Sequence, residues 1–183
     1  MYCSLKKAVT KMKEPRYKRY SSALYFLIRL LLLSIPVYIV ILFINLYPIQ
    51  LMVASQSNYI LSAMGFAVQQ DGALLSVGNE SPFRFFISED STGWKSFLFL
   101  AALIIAVPVV KWRKRLAGIV PGILVLYAGN LLRVLTIVFA EQAYGMQTAM
   151  LVHDWLWEFG LTALVLALWV LWLKHANIWN KRQ

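Results

Sequence analysis

The sequence predicts an all-α integral membrane protein: a bundle of about four transmembrane helices carrying a small extracytoplasmic β-hairpin. Three observations lead there. Of 183 residues, 60% are hydrophobic and only 14% charged, with a mean hydropathy of +0.64, which is more apolar than a water-facing surface permits. Several apolar runs approach the ~20 residues a helix needs to cross a bilayer. The basic residues gather in short flanks between those runs: seven of 18 Lys and Arg in the first twenty positions, four in "KWRKR" at positions 111–115, and Lys174, Lys181 and Arg182 after the last run. This pattern follows the positive-inside rule, so the net charge of +10 speaks for anionic lipid headgroups and against a nucleic-acid partner.

Taken in order, residues 1–21 form a basic cytoplasmic tail. Its Cys3 is the one cysteine, a bystander thiol on the reducing side with no intrachain partner. The run 22–47 is longer than a signal-peptide core and has no small-residue cleavage site, so it is the first span. Residues 48–90 connect it to the second. Their first half, "PIQLMVASQSNYILSAMGFAV", is nearly long enough to span but carries Gln50, Ser55, Gln56, Ser57 and Asn58. Crossing would put the acids Asp71, Glu80, Glu89 and Asp90 inside, so the segment reads as an interfacial or re-entrant helix. Next, "GFAVQQDGALLSV" has strand-like runs around Asp71-Gly72, a hairpin signal, and "FRFFIS" supplies a less regular third run. The triplet at Asn79 has the form of a glycosylation acceptor, compatible with an outside location. The remaining spans are 93–110, 116–140 and 155–173, with a second cytoplasmic tail at 174–183. An even number of spans leaves both termini in the cytoplasm, and the connections 48–90 and 141–152 face outward.

Several polar residues stand where a membrane disfavours them. Arg133 lies in "YAGNLLRVLTIVF", roughly 10 Å below the outer end of a span that exits near Ala140, at about 1.5 Å per residue. Insertion of arginine toward a span's centre costs about 2.5–3.5 kcal/mol, and such residues usually face the bundle interior. Asn130, three positions earlier, shares its face. A snorkelling arginine or a structural ion pair is the plain alternative. His153 opens "HDWLWEFG" at the mouth of the fourth span, with Asp154 favoured by the helix start and Glu158 four residues on. Ser91 and Thr92 begin the second span in "EDSTGWKS". Taken alone, Asp90, Ser91 or Thr92 is a helix cap.

Topology brings these groups together, because the second span starts outside, the third ends outside and the fourth starts outside. Ser91, Arg133 and His153 therefore lie at similar depth near the outer face. A hydroxyl at a helix N-terminus, an imidazole that moves a proton and a guanidinium that holds an oxyanion make an acyl-transfer constellation. A membrane metalloprotease is excluded: there is no paired-histidine motif, and one cysteine with two distant histidines supplies no ligand set. No metal or cofactor is expected. The rival is a non-enzymatic membrane assembly factor or transporter subunit, in which Arg133 pairs with an acid and Ser91 caps a helix.

"STGWKS" at 91–96, "NLLR" at 130–133 and His153 resemble the three signature sites of the exosortase/archaeosortase family, across roughly residues 66–173. The family's first motif reads Cys, Thr or Ser, then Gly; its second ends in an arginine after an asparagine; its third is a histidine or an arginine. The resemblance implies a membrane-embedded transpeptidase. Its substrates would be secreted proteins ending in a short recognition motif, an apolar helix and a basic cluster. It would cut near that motif, form an acyl-enzyme and pass the protein to a lipid or other amine acceptor. On this reading position 91 carries the nucleophile, His153 is base and acid, Arg133 stabilises the thiolate or oxyanion, and Asn130 orients Arg133. Thr92, Gly93 and Asp154 support them. Position 91 is Ser rather than Cys, and an alcohol scarcely ionises where a thiol does so near pKa ~8.5. Either the serine stands in for a native cysteine, a nearly isosteric exchange that leaves the surrounding motif intact, or this is a serine enzyme with His153 as base.

Overall fold

In a computed structural model, which describes residues 16–41, 43–79, 82–108 and 110–176, the chain is mostly helical with one small sheet. Cys3, the first part of the basic tail, Lys181, Arg182, and Glu80 and Ser81 of the Asn79 triplet lie outside the described residues. Helix α1 spans Arg16–Ile41 and α2 spans Tyr47–Ala63. A three-stranded sheet follows, β1 (Val68–Asp71), β2 (Leu74–Val77) and β3 (Phe83–Phe86). A 3-10 turn, Glu89–Thr92, leads into α3 (Trp94–Ala106). The remaining helices are α4 (Trp112–Tyr144), α5 (Met146–Trp155) and α6 (Leu161–His175), the last two joined by a π-helical turn at Leu156–Gly160.

Among the described residues one helix, Trp112–Tyr144, is long and apolar enough to cross a membrane; Ala23–Ile39, Trp94–Ala106 and Leu161–His175 are shorter apolar helices. The 33 residues of α4 extend about 50 Å, well beyond the ~30 Å of bilayer hydrocarbon. It therefore serves two layers. Its first half packs with α3 and α6 around Leu100, Ile104, Leu126, Val165 and Trp172, against which Phe26 and Leu30 of α1 rest. Its second half packs on the sheet and α2 through Val134, beside Val53, Ala54 and Leu75, and through Leu135 and Val138, beside Leu61, Val77 and Phe83. Leu24, Leu27, Leu31 and Leu32 of α1 and Val120 and Leu124 of α4 point outward, an apolar belt suited to acyl chains.

Close approach in the first layer depends on Gly118, where any Cβ would run into the Trp172 indole. That ring is pinned, its Nε1 donating to the Lys114 carbonyl at 2.8 Å. The Lys and Arg of "KWRKR" belong to this end. Arg115 donates to the Val107 carbonyl at 3.0 Å and Lys114 to the Ala176 carbonyl at 3.2 Å. They satisfy the orphan carbonyls that end α3 and α6.

Helix α2 starts with proline in its first turn, where a missing N–H costs nothing. It ends at Gly65, with the Phe66 N–H bonded to the Leu61 carbonyl and the Gly65 N–H to the Ser62 carbonyl, a left-handed stop. The polar residues that made this segment ambiguous hold it to its neighbours. Gln50 donates to the Ile87 carbonyl, Asn58 to Gln70, and Gln70 to Ser55, while the Tyr127 hydroxyl donates to Gln56.

The sheet is an antiparallel meander in the order β1-β2-β3. Its first hairpin turns at Gly72 and Ala73, because Asp71 is still paired with Leu74. The tip is thus one residue later than Asp71-Gly72, with the positive φ of +58° at Gly72. A further boundary differs from expectation. The helical run containing His153 begins at Met146, not at Trp155: the connection 141–152 holds only one glycine, Gly145, and the chain turns there (φ +80°, ψ 174°) and immediately resumes a helix. Asp154 accordingly lies more than two turns inside that run, away from its N-terminus, where the dipole does not favour it. The run continues through the π turn at Leu156–Gly160 into α6.

Candidate active site

Strand β3 runs through Ile87 into Ser88, whose extended backbone (φ −68°, ψ 165°) caps the 3-10 turn. Its Oγ accepts from the Ser91 N–H at 3.3 Å and lies 3.0 Å from the Ser91 Oγ. Thr92 is fully enclosed and donates its hydroxyl to the Glu89 carbonyl at 2.7 Å. Ser88 is therefore the cap, not Asp90, Ser91 or Thr92, and no side chain caps α3 itself. Thr92, which ends the 3-10 turn, and the left-handed Gly93 (φ +79°) separate Ser91 from the first residue of α3. Asp90 pairs with Lys95 at 2.6 Å with both half exposed, a pair worth less than about 1 kcal/mol.

Asn130 ties this turn to α4. Its side chain is fully buried, and its Nδ2 donates to the Ser91 carbonyl at 2.8 Å. The bond serves the backbone that presents Ser91, whereas the family resemblance gives Asn130 the task of orienting Arg133. Gly93 makes the contact feasible, since a Cβ there would sit 3.1 Å from the Asn130 Cγ. Gly93→Ala is therefore expected to cost about 1–2 kcal/mol for the left-handed backbone alone and to push Asn130 aside. Thermal unfolding in detergent measures that loss; an unchanged midpoint refutes the assignment.

Arg133 stands three residues further along α4 and is 5% exposed, too enclosed for a side chain that snorkels to water. His153 is half-buried on α5, with its Nδ1 3.1 Å from the Asp154 carboxylate. Such a carboxylate fixes an imidazole's orientation and tautomer. Ser91, Arg133 and His153 all line one cavity of about 210 Å³. Phe83 to Ile87 form one wall, with Val134 and Ile137 of α4 beside Arg133. Met146, Ala149 and Met150 approach from α5 along with His153. The spacing 146, 149, 150, 153 is one face of a helix.

Ser88, β3 and the α5 face were not anticipated as parts of the site. Ser88 and Ser91 have the three-residue spacing of a hydroxyl turn motif, and the α5 stripe has helical periodicity; both signals stand in the sequence. Nothing in the sequence marks β3 as a cavity wall, because that depends on its neighbour in space. Among the described residues no group of His, Cys, Asp and Glu is arranged to hold a metal ion.

Bundle and cavity together define a helical membrane protein whose gathered hydroxyl, guanidinium and imidazole suit acyl transfer. The chain belongs to the transmembrane exosortase family, whose family model matches residues 16–173. That stretch contains the whole cavity. No curated protein and no solved structure matches the chain.

Proposed function

We propose that this exosortase-family protein is a membrane-embedded transpeptidase that cuts the C-terminal sorting segment of secreted proteins at the extracytoplasmic face. It then transfers the protein to a lipid or other amine acceptor. The observation that carries the reading is the single cavity lined by Ser91, Arg133 and His153 from three separate elements. The side chain at position 91 attacks the scissile carbonyl, and His153, held by Asp154, takes its proton and returns it to the departing amine. The Arg133 guanidinium faces the developing oxyanion. An amine then attacks the acyl-enzyme, forming a new amide and restoring the side chain at position 91. With serine there the first step is slow, because an alcohol is the weaker nucleophile beside a neutral imidazole.

Both termini lie in the cytoplasm on this reading, with α1, α3, α4 and the α5–α6 run as the four spans. The sheet, α2 and the cavity occupy the outer end, and basic residues flank the inner end. The test uses membranes containing the Ser91→Cys chain and a reporter whose tail carries a recognition motif, an apolar helix and a basic cluster from a secreted protein of the same genome. Added hydroxylamine should be captured as a hydroxamate at the new C-terminus, read by mass spectrometry. A product ending only in a free carboxylate, with no hydroxamate at any hydroxylamine concentration, argues against an acyl-enzyme.

A further inference from the structure

Five successive residues, Phe83 to Ile87, line the cavity. Successive side chains of a strand point to opposite faces of the sheet, so a space touched by all five runs along the strand's edge. Among the described residues β3 is an outer strand, bonded within the sheet to β2. The Ile87 N–H donates to the Ala73 carbonyl at 2.9 Å, which makes that couple a hydrogen-bonded pair. Such pairs alternate along an antiparallel ladder, so Phe83, Phe85 and Ile87 turn their backbone groups toward β2. Arg84 and Phe86 turn theirs toward the cavity.

We infer that the cavity binds its polypeptide by strand addition, an extended segment pairing with the outer edge of β3 through the backbone of Arg84 and Phe86. The inference rests on the transpeptidase reading for the identity of that polypeptide, a stretch of secreted protein next to the cut point. Its chemistry is set by the edge: alternating donors and acceptors complement only another extended backbone. Side chains of the bound strand would meet Phe83, Phe85, Val134, Ile137 and the adaptable Met146 and Met150. The edge ends at Ile87, and the chain turns through Ser88 to Ser91, so a segment in register on β3 leads toward position 91. Unpaired edges are normally guarded against association; this one faces helices α4 and α5 across the cavity, where a single strand is admitted.

The test is a synthetic copy of the reporter tail, N-methylated at one amide at a time, binding to the full chain with Ser91 intact in lipid nanodiscs. Methylation at two amides two residues apart should weaken binding roughly five- to tenfold each, as loss of one hydrogen bond does, with the amide between them tolerant. As a second measurement, Phe86→Pro removes an N–H that β2 does not use and should weaken binding more than Phe86→Ala, which keeps it. A flat N-methyl profile, or failure of the tail to bind, overturns the inference, as does a profile that stays flat because two copies of the chain pair through β3. Cleavage by Ser91→Cys with a flat profile removes strand addition and leaves the transpeptidase standing. An alternating profile without cleavage does the reverse.

Discussion

Ser91→Cys is expected to raise turnover of the reporter tail by orders of magnitude over the chain as it stands. The hydroxyl at position 91 has a hydrogen-bond partner in Ser88, 3.0 Å away, but another hydroxyl is no base, and only His153 in the same cavity can take the proton. A thiol needs less help. It ionises near pKa ~8.5 in water and lower beside positive charge, and Arg133 lines the same cavity. The exchange alters one atom and leaves the Ser88 cap, the Asn130 bond and Gly93 in place. Rates are read from the initial appearance of cleaved reporter in matched membranes. Equal rates for the two proteins would sink the assignment of position 91 as nucleophile.

In the Ser91→Cys protein, Arg133→Ala or His153→Ala is expected to lower kcat by roughly 10²–10³, the range for an oxyanion donor or a proton-transfer group. Each variant should remain folded by thermal unfolding. Arg133→Lys keeps the charge but not the planar fork, so it should recover part of the loss. A purely structural arrangement predicts the opposite division. Removing a guanidinium that is 5% exposed would then lower stability, and His153→Ala, at a half-buried position, would change neither stability nor rate. The pair of measurements therefore separates an enzyme from an assembly or transport subunit.

Much of the site was legible as residue types. Arg133 stood out because a charge inside an apolar helix needs a reason, and Ser91 and His153 because they flank apolar runs on the side the charge bias makes outer. The partners of these residues were less legible. Asn130 shares a helix face with Arg133, which made Arg133 its natural object. Its amide instead donates to the Ser91 carbonyl, 39 positions away, since α4 packs against the turn before α3. The cap passed from Ser91 to Ser88 for a local reason: a 3-10 turn precedes the α-helix, and a hydropathy boundary does not distinguish the two.

What the sequence determined by itself is the membrane class, the polar groups that an apolar chain retains, and the short strands around Gly72, because hydropathy, charge bias and turn chemistry act over a few residues. The tertiary structure alone decided that α2 seals the sheet with its polar side chains, that one face of the helix at 146–155 lies on the cavity, and that the edge of β3 forms its wall. These depend on which surfaces the 33-residue α4 brings to the same end of the molecule. Proximity between distant segments is a property of packing, and no local pattern encodes it.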